Sequence, residues 1–247
     1  MPATPAWPPK SLPRLFVATP LADGAGVELD AKQANYLGNV LRLGVGGAVL
    51  LIDGASGEWL ATVAEARRKH MQLRVERRTK PVEAVPDLWL AFAPVKRAQL
   101  DWLVEKATEL GVARLMPVVT ARTVVERVKG ERLRSIAIEA AEQCGRTLVP
   151  TIDEPVSLAA LLAGRMAGRT LYFADETGGE VVGKAFEAGA AMILTGPEGG
   201  FTPDERAAIR AADEVRAVSL GPRILRAETA ALAAVSAWMA VAGDWRS

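Results

Sequence analysis

Hydrophobic and polar residues follow two different patterns along the chain. From residue 14 to residue 78, short runs such as AVLLID and MQLRVER alternate apolar and polar positions, which is typical of half-buried strands. One helix is predicted inside this region, because Asp30 can cap it and an apolar stripe follows as far as Gly44. The pattern therefore predicts a small β-rich domain over residues 14–78.

Residues 79–87, TKPVEAVPD, contain two prolines, which indicate a linker. A second pattern begins after it. The strand-like runs LWLAFA, RLMPVV, TLYFA, AMILT and VRAVSL then alternate with helical patterns. Alternation of this kind predicts a parallel sheet covered by helices, an α/β domain over residues 88–247. The proline-rich start, residues 1–13, is predicted to be a flexible tail.

The charge of the chain is unevenly distributed. Half of the 247 residues are hydrophobic and the net charge is +1, but residues 1–146 carry about +5 and residues 147–247 about −4. The densest basic run contains Arg67, Arg68, Lys69, Arg74, Arg77, Arg78 and Lys80. This asymmetry favours a polyanionic partner for the first part of the chain, with a solvated strand face as the alternative.

The cysteine count and the length of the apolar stretches indicate the cellular compartment and exclude some kinds of site. A single cysteine, Cys144, excludes an internal disulfide framework and a cysteine-based zinc site, and fits a reducing compartment. The longest apolar stretch, residues 230–243, is too short to span a bilayer. We therefore expect a cytoplasmic protein with no metal and no membrane association.

Two segments at the carboxyl ends of predicted strands are candidates for a binding site, because ligands of open α/β sheets bind at that edge. In the first, AMILTGPEGGFTPDE (residues 191–205), a strand leads into a glycine-rich turn and then into a helix. Thr202 and Glu205 form a predicted capping box there, with Pro203 in the first turn. The alternative is an ordinary strand-to-helix turn, and the glycine spacing matches neither a P-loop nor a dinucleotide fingerprint.

The second segment is VSLGPRILRAETAALAA (residues 218–234), where a strand ends at Gly221 and a helix carrying Arg226 and Glu228 follows. That helix is apolar all round, so we expect it to be buried, either within the core or against another chain. The alternative interpretation of Arg226 and Glu228 is a structural ion pair.

Together these two segments resemble the 16S ribosomal RNA uracil-N3 methyltransferases of the SPOUT superfamily. VEKATELGVARLMPVVTAR (residues 104–122), EAAEQCGRTLVP (139–150) and VLRLGVGGAVLLIDG (40–54) agree with the same family. The resemblance covers nearly the whole chain after residue 13. One departure is Tyr36, which stands where the family commonly has histidine.

The resemblance implies a knotted SPOUT-type parallel sheet with helices on both faces, preceded by a small PUA-like RNA-binding domain. It also implies a homodimer, the cofactor S-adenosylmethionine and a substrate in 16S ribosomal RNA or the small ribosomal subunit. The trefoil knot is expected from the resemblance alone, since such knots are nearly absent elsewhere. The cofactor-binding residues implied are Leu194, Thr195, Gly196, Gly199, Gly200, Leu220, Gly221, Ile224 and Leu225.

Methylation of uracil N3 requires removal of its proton, so a base or an anion-stabilising cation is needed. The only histidine, His70, lies in the N-terminal domain. The candidates are Glu198 and Glu228 as proton acceptors and Arg226 or Arg122 as cations, with Arg226 favoured. Glu198 can alternatively hold its own loop through bonds to backbone N–H groups.

The residues expected to contact RNA are Arg42, Arg67, Arg68, Arg74, Arg77, Arg78 and Arg146. Arg146 and Glu142 are expected near the pocket by resemblance. Two alternatives stay open: a SPOUT enzyme acting on transfer RNA or on a ribose 2′-hydroxyl, and a non-catalytic ribosome-assembly protein that binds RNA.

Overall fold

A computed structural model describes residues 12–67, 70–125, 127–164 and 168–246. The chain divides into two compact units. The first extends to Glu83 and also includes Ala141–Leu148, and the second contains Ala84–Ala140 and the chain from Val149 onward. The division after Glu83 falls within the segment predicted as a linker, whereas most of the predicted tail lies outside the described residues.

The first unit is built on a five-stranded sheet in the order β1-β3-β4-β5-β2. Its strands are β1 (Arg14–Phe16), β2 (Gly26–Glu28), β3 (Ala48–Ile52), β4 (Glu58–Arg67) and β5 (His70–Lys80). The predicted helix is present as the short α1 (Ala31–Asn35), which continues into a π-helical turn, Tyr36–Val40. Its cap is confirmed, because the Asp30 carboxylate accepts a hydrogen bond from the backbone N–H of Gln33 at 2.8 Å.

Strand β5 shows why this unit has one apolar and one polar face. Met71, Leu73 and Val75 are buried in the core, while Gln72 and Arg74 between them are exposed. Because successive side chains of a strand point to opposite faces, the sequence alternation fixes which residues face water. The prediction of a small β-rich domain is confirmed.

The second unit contains an eight-stranded sheet in which all pairs are parallel. Its strands are β6 (Leu88–Phe92), β7 (Arg114–Val119), β8 (Thr151–Ile152), β9 (Val156–Ser157), β10 (Thr170–Ala174), β11 (Glu180–Val181), β12 (Ala191–Thr195) and β13 (Val215–Ser219). Their order is β11-β13-β10-β12-β6-β7-β8, with β9 paired to β7. The parallel sheet is therefore confirmed, while the knotted threading of the chain stays a prediction.

Helices cover both faces of this sheet. They are α2 (Arg97–Glu109), α3 (Gly130–Cys144), α4 (Leu158–Ala163), α5 (Val182–Ala185), α6 (Pro203–Ala211) and α7 (Ala227–Val241), and a short 3-10 turn, Asp244–Arg246, follows. Leu90 and Phe92 of β6 belong to the core beneath α2 and α7, whereas Ala91 between them belongs to the core beneath α4 and α6. Strand alternation thus supplies apolar side chains to both layers.

Helix α7 is buried within its own unit. Ala231, Val235 and Met239 are fully buried and Trp238 is 1% exposed. The helix packs against α2, α5, β6 and β12. Its largely apolar sequence is therefore explained mostly by packing inside one chain, and the homodimer stays a prediction. None of the helices in the described ranges is long and apolar enough to cross a membrane.

Candidate functional site

The carboxyl ends of three neighbouring strands, β13, β10 and β12, border one cavity of about 690 Å³. This volume is within the range of roughly 300–1,000 Å³ that is typical of small-molecule sites. The cavity is lined by Lys96, Ala174, Asp175, Glu176, Thr195, Gly196, Pro197, Glu198, Gly199, Gly200, Leu220, Gly221, Pro222, Arg223, Ile224, Leu225, Arg226, Ala227 and Ala230. Both segments singled out in the sequence therefore meet at one place.

The first loop, GPEGG, is a defined turn. The N–H of Gly200 donates to the carbonyl of Pro197 at 2.9 Å, and Gly200 has a φ of +65°, which glycine adopts without strain. After the loop, Thr202 and Glu205 exchange the two hydrogen bonds of a capping box at the start of α6. The predicted capping box is confirmed, and it fixes where the loop ends.

Two glycines of this loop lie so close to other side chains that an added Cβ would force a neighbour to shift. A Cβ atom on Gly196 would lie 2.6 Å from the ring of Phe201, and one on Gly200 would lie 2.9 Å from Oε1 of Glu176. Both distances are shorter than van der Waals contact. The sequence suggested these glycines for close approach to a ligand, and the structure adds an internal reason for each of them.

The second loop leads from β13 into α7. Gly221 has a φ of +103°, and no atom outside its immediate chain neighbours lies within 4 Å of an added Cβ, so the space beside it is open. Arg226 occupies the N-cap position of α7 without a side-chain cap bond. Because the first N–H groups of a helix lack partners within the helix, this end of α7 offers donors and a partial positive charge to the cavity.

Three cationic side chains border the cavity, namely Lys96, Arg223 and Arg226, and all three are exposed. Within the described ranges none of them forms an ion pair. Lys96 and Arg223 were not among the sequence candidates. Lys96 follows β6 at the carboxyl edge of the sheet. Ligands of open α/β sheets bind at that edge, so the reasoning that identified the loops after β12 and β13 could also have identified Lys96.

A buried acidic group supports the cavity at the end of β10. The side chain of Asp175 is fully buried and accepts hydrogen bonds from Thr177, Arg206 and Arg210. Burial alone raises the pKa of Asp175, but the bonds from Thr177 and Arg210 and the charge of Arg206 outweigh it, so this pKa lies below its ordinary value. Arg206 also donates to Oε1 of Glu176 at 2.6 Å.

Most of the predicted cofactor-binding residues line the cavity. Three other predicted residues take different positions: Leu194 is fully buried in the core beneath α4 and α6, and Arg122 and Glu228 are absent from the lining. Arg122 donates to the carbonyl of Gly199 at 2.7 Å and therefore braces the first loop. Glu228 is 8% exposed, and its Oε2 has no hydrogen-bond partner among the residues that the structure describes.

The predicted RNA-contacting residues separate into exposed and buried ones. Arg74, Arg77 and Arg78 are exposed on β5. We call these three side chains the β5 basic face, although Arg77 and Arg78 are consecutive and therefore point to opposite sides of the strand. Arg67 is exposed and pairs with Glu65 at 3.2 Å, and Arg42 is exposed with a φ of +57°. Arg68 and Lys69 lie outside the described residues.

Arg146 takes a different position from the one an RNA contact requires. It is 6% exposed, and its Nε donates to Oε1 of Glu83 at 3.2 Å. The same oxygen accepts the backbone N–H groups of Thr147 and Leu148. Arg146 therefore contributes to the internal structure of the first unit, as does Glu142, whose Oε1 accepts the N–H of Phe16 at 2.7 Å.

The described part of the chain contains no cluster of side chains arranged to bind a metal ion. No group of three or more His, Cys, Asp or Glu side chains lies there in a position to hold an ion. The only histidine, His70, is on β5 and pairs with Glu28 at 3.1 Å.

Family models match both units of the chain. Residues 83–239 match the model described as an RNA methyltransferase domain, and residues 29–76 match the RNA methyltransferase PUA domain. Ribosomal RNA small subunit methyltransferase E of Rickettsia conorii is 30% identical over 229 residues, which are 90% of this chain and 93% of the relative. The protein of the same name from Mycobacterium bovis is 32% identical over 245 residues, with 94% and 93% covered.

Solved structures agree with these relatives. A ribosomal RNA small subunit methyltransferase E from Neisseria gonorrhoeae, bound to S-adenosyl methionine, superposes with a TM-score of 0.86 at 28% identity, covering 95% of this chain and 100% of that one. A structure from Legionella pneumophila with bound SAM gives a TM-score of 0.87 at 27% identity, with 95% and 99% covered. The chain therefore belongs to the RNA methyltransferase family of ribosomal RNA small subunit methyltransferase E.

Proposed function

We propose that this protein transfers a methyl group from S-adenosylmethionine to N3 of a uracil in 16S ribosomal RNA. The observation that carries the proposal is the cavity at the ends of β10, β12 and β13. It is formed by the glycine-rich loop after β12 and the loop at Gly221 after β13, and it is bordered by cations that are unpaired within the described ranges. The relatives named for methylation of small-subunit ribosomal RNA support the class of substrate.

The residues of the cavity fit the proposed cofactor. The volume suits a nucleoside-sized ligand, and Gly200 and Gly221, both at positive φ, expose backbone groups to it. The residues that would hold the cofactor are Thr195, Gly196, Gly199, Gly200, Leu220, Gly221, Ile224 and Leu225, with Leu194 anchoring the first loop in the core. When bound, S-adenosylmethionine supplies an electrophilic methyl group.

The acceptor requires help from the protein, because uracil N3 is a poor nucleophile while it carries a proton. Arg226 stabilises the negative charge that develops on the uracil oxygens, since it is unpaired in the described structure, borders the cavity and stands at the positive end of α7. Glu198 accepts the N3 proton. It borders the cavity, and none of the hydrogen bonds found in the described ranges uses its carboxylate, whereas Glu228 is absent from the cavity lining.

RNA is held by the β5 basic face, which offers three guanidinium groups to phosphates. The enzyme acts in the cytoplasm as a homodimer.

The decisive experiment supplies small subunits from cells that lack this protein, together with S-adenosylmethionine that carries an isotopically labelled methyl group. We expect mass spectrometry of the digested RNA to find labelled 3-methyluridine in 16S RNA. Label in transfer RNA or on a ribose would support the other SPOUT activities, and binding without any transfer would support an assembly protein. The Arg226→Ala variant provides the control with a lowered rate, so samples are compared at early times.

A further inference from the structure

Glu176 is a cavity residue that neither the glycine-rich loops nor the catalytic candidates include. It follows β10, which lies between β12 and β13 in the sheet. The carboxylate of Glu176 therefore belongs to the strand end between the two that carry the loops. Its carboxylate is bonded to a guanidinium on one side and lies beside the Gly200 backbone on the other.

Arg206 holds one oxygen of this carboxylate. Its Nη2 donates to Oε1 of Glu176 at 2.6 Å, while its Nη1 donates to the buried carboxylate of Asp175. On the other side, Oε1 of Glu176 lies so close to the Gly200 backbone that a Cβ there would be 2.9 Å away. No donor among the described residues binds Oε2, and the side chain is 41% exposed. Glu176 is thus a pre-oriented acceptor at the cavity.

The charges around Glu176 indicate what kind of donor it suits. Two carboxylates, Asp175 and Glu176, are balanced by two guanidinium groups, Arg206 and Arg210. Because the cluster carries no net charge, it attracts a cation weakly, yet its carboxylate oxygens keep their capacity to accept hydrogen bonds. A pair of neutral hydroxyl groups is therefore the kind of donor that suits the Glu176 carboxylate. In other nucleotide-binding sites, an Asp or Glu side chain accepts hydrogen bonds from ribose hydroxyls.

We infer that Glu176 accepts hydrogen bonds from the ribose hydroxyls of the adenosyl cofactor and makes the site selective for a ribonucleoside. This inference rests on the proposed function, since it assumes that the cavity binds an S-adenosyl compound. Arg206 acts as a positioning residue, because it donates a hydrogen bond to Glu176 and is itself paired with the buried Asp175.

Isothermal titration of the full chain with S-adenosylhomocysteine and with its 2′-deoxyadenosyl analogue tests the inference without any turnover. Wild type should bind the deoxy analogue about 10- to 100-fold more weakly, the range expected for losing a hydrogen bond to a charged group. Glu176→Ala should weaken S-adenosylhomocysteine to a similar extent and should bind the two ligands with nearly equal affinity.

Glu187→Ala is the matched control, because Glu187 also accepts a bond from an arginine, Arg216, at 2.7 Å but does not line the cavity. It should keep the wild-type affinities and the wild-type preference for the ribose form. Wild type that binds the two ligands equally overturns the inference, as does a Glu176→Ala protein that retains the preference. Wild type that fails to bind S-adenosylhomocysteine at all overturns the proposed function as well.

Discussion

The ring of Phe201 occupies the space that a side chain at Gly196 would need, with Cε2 only 2.6 Å from the position of an added Cβ. Phe201 is 3% exposed and packs edge-on against Phe173, so the ring has little freedom to move. We expect Gly196→Val to lower the free energy of unfolding by about 1–3 kcal/mol, the usual cost of overpacking a core. Urea denaturation measures this, and an unchanged midpoint would contradict it.

Gly221 is a better position for testing the cofactor site, because the space around its Cβ position is open. Gly221→Ala should weaken binding of S-adenosylmethionine about tenfold or more, equivalent to roughly 1.4 kcal/mol, by narrowing the cavity. Gly189→Ala is the matched control: Gly189 also has a positive φ, +133°, and open space, but lies outside the cavity lining. Both variants carry a similar backbone strain, so equal affinities in titration calorimetry would argue against the assignment of this loop.

Loss of Arg226 should affect chemistry more than binding. Arg226→Ala is expected to lower kcat about 10²- to 10³-fold, as does removal of one group that stabilises developing negative charge. Single-turnover methyl transfer to small subunits measures the effect, with S-adenosylmethionine affinity as the accompanying control. Sedimentation of wild type and variant should show the same dimer, since an exposed charge at the cavity is not part of an apolar contact. A fully active variant would contradict the catalytic role of Arg226. A wild-type protein that sediments as a monomer would contradict the predicted homodimer.

The β5 basic face should contribute to RNA affinity by neutralising phosphates. Replacing Arg74, Arg77 and Arg78 by alanine should weaken binding to the small subunit and flatten its salt dependence, by about 0.7–0.9 in the log–log slope for each phosphate that is no longer neutralised. Arg216→Ala is the control, because Arg216 lies in the second unit and is paired with Glu187. Filter binding across a salt series distinguishes the two variants. An unchanged slope in the triple variant would mean that this face is simply solvated.

Asp175 should make stability depend on pH. Its folded-state pKa lies below the ordinary value of about 3.9, so its contribution is present above that value and is lost as the pH falls through the folded pKa. Asp175→Asn should therefore cost about 1–3 kcal/mol at pH 7 and less at a second pH below about 3.9. Thermal melts at both pH values, with exposed Asp213→Asn as control, measure this difference. An equal cost at the two pH values would contradict the assignment.

The sequence was sufficient for those parts of the fold that depend on local periodicity and on strand ends. The alternation in β5, the capping box of Thr202 and Glu205, and the parallel strands all follow from residue spacing. The joint cavity of the two glycine loops followed from the rule that carboxyl ends share one edge. These features need no knowledge of distant pairing.

Features that depend on distant partners could not be predicted in the same way. Nothing local indicates that Arg146 is buried against Glu83, 63 positions away, or that Arg122 braces the carbonyl of Gly199. The role of Glu176 likewise depends on Arg206, which reaches it from a different helix. Such pairs are set by how the strands are ordered in the sheet, which the sequence pattern alone does not specify.

The position of β6 in the middle of the sheet has a consequence for how the protein is made on the ribosome. One edge of β6 pairs with β7, which follows soon after it, but the other pairs with β12. Synthesis must proceed for about a hundred residues before β12 emerges, so the nascent chain holds an open strand edge in the meantime. The segment that carries β12, β13 and α7 completes the sheet and the cavity together, so the ligand site can form only after these three elements have been synthesised.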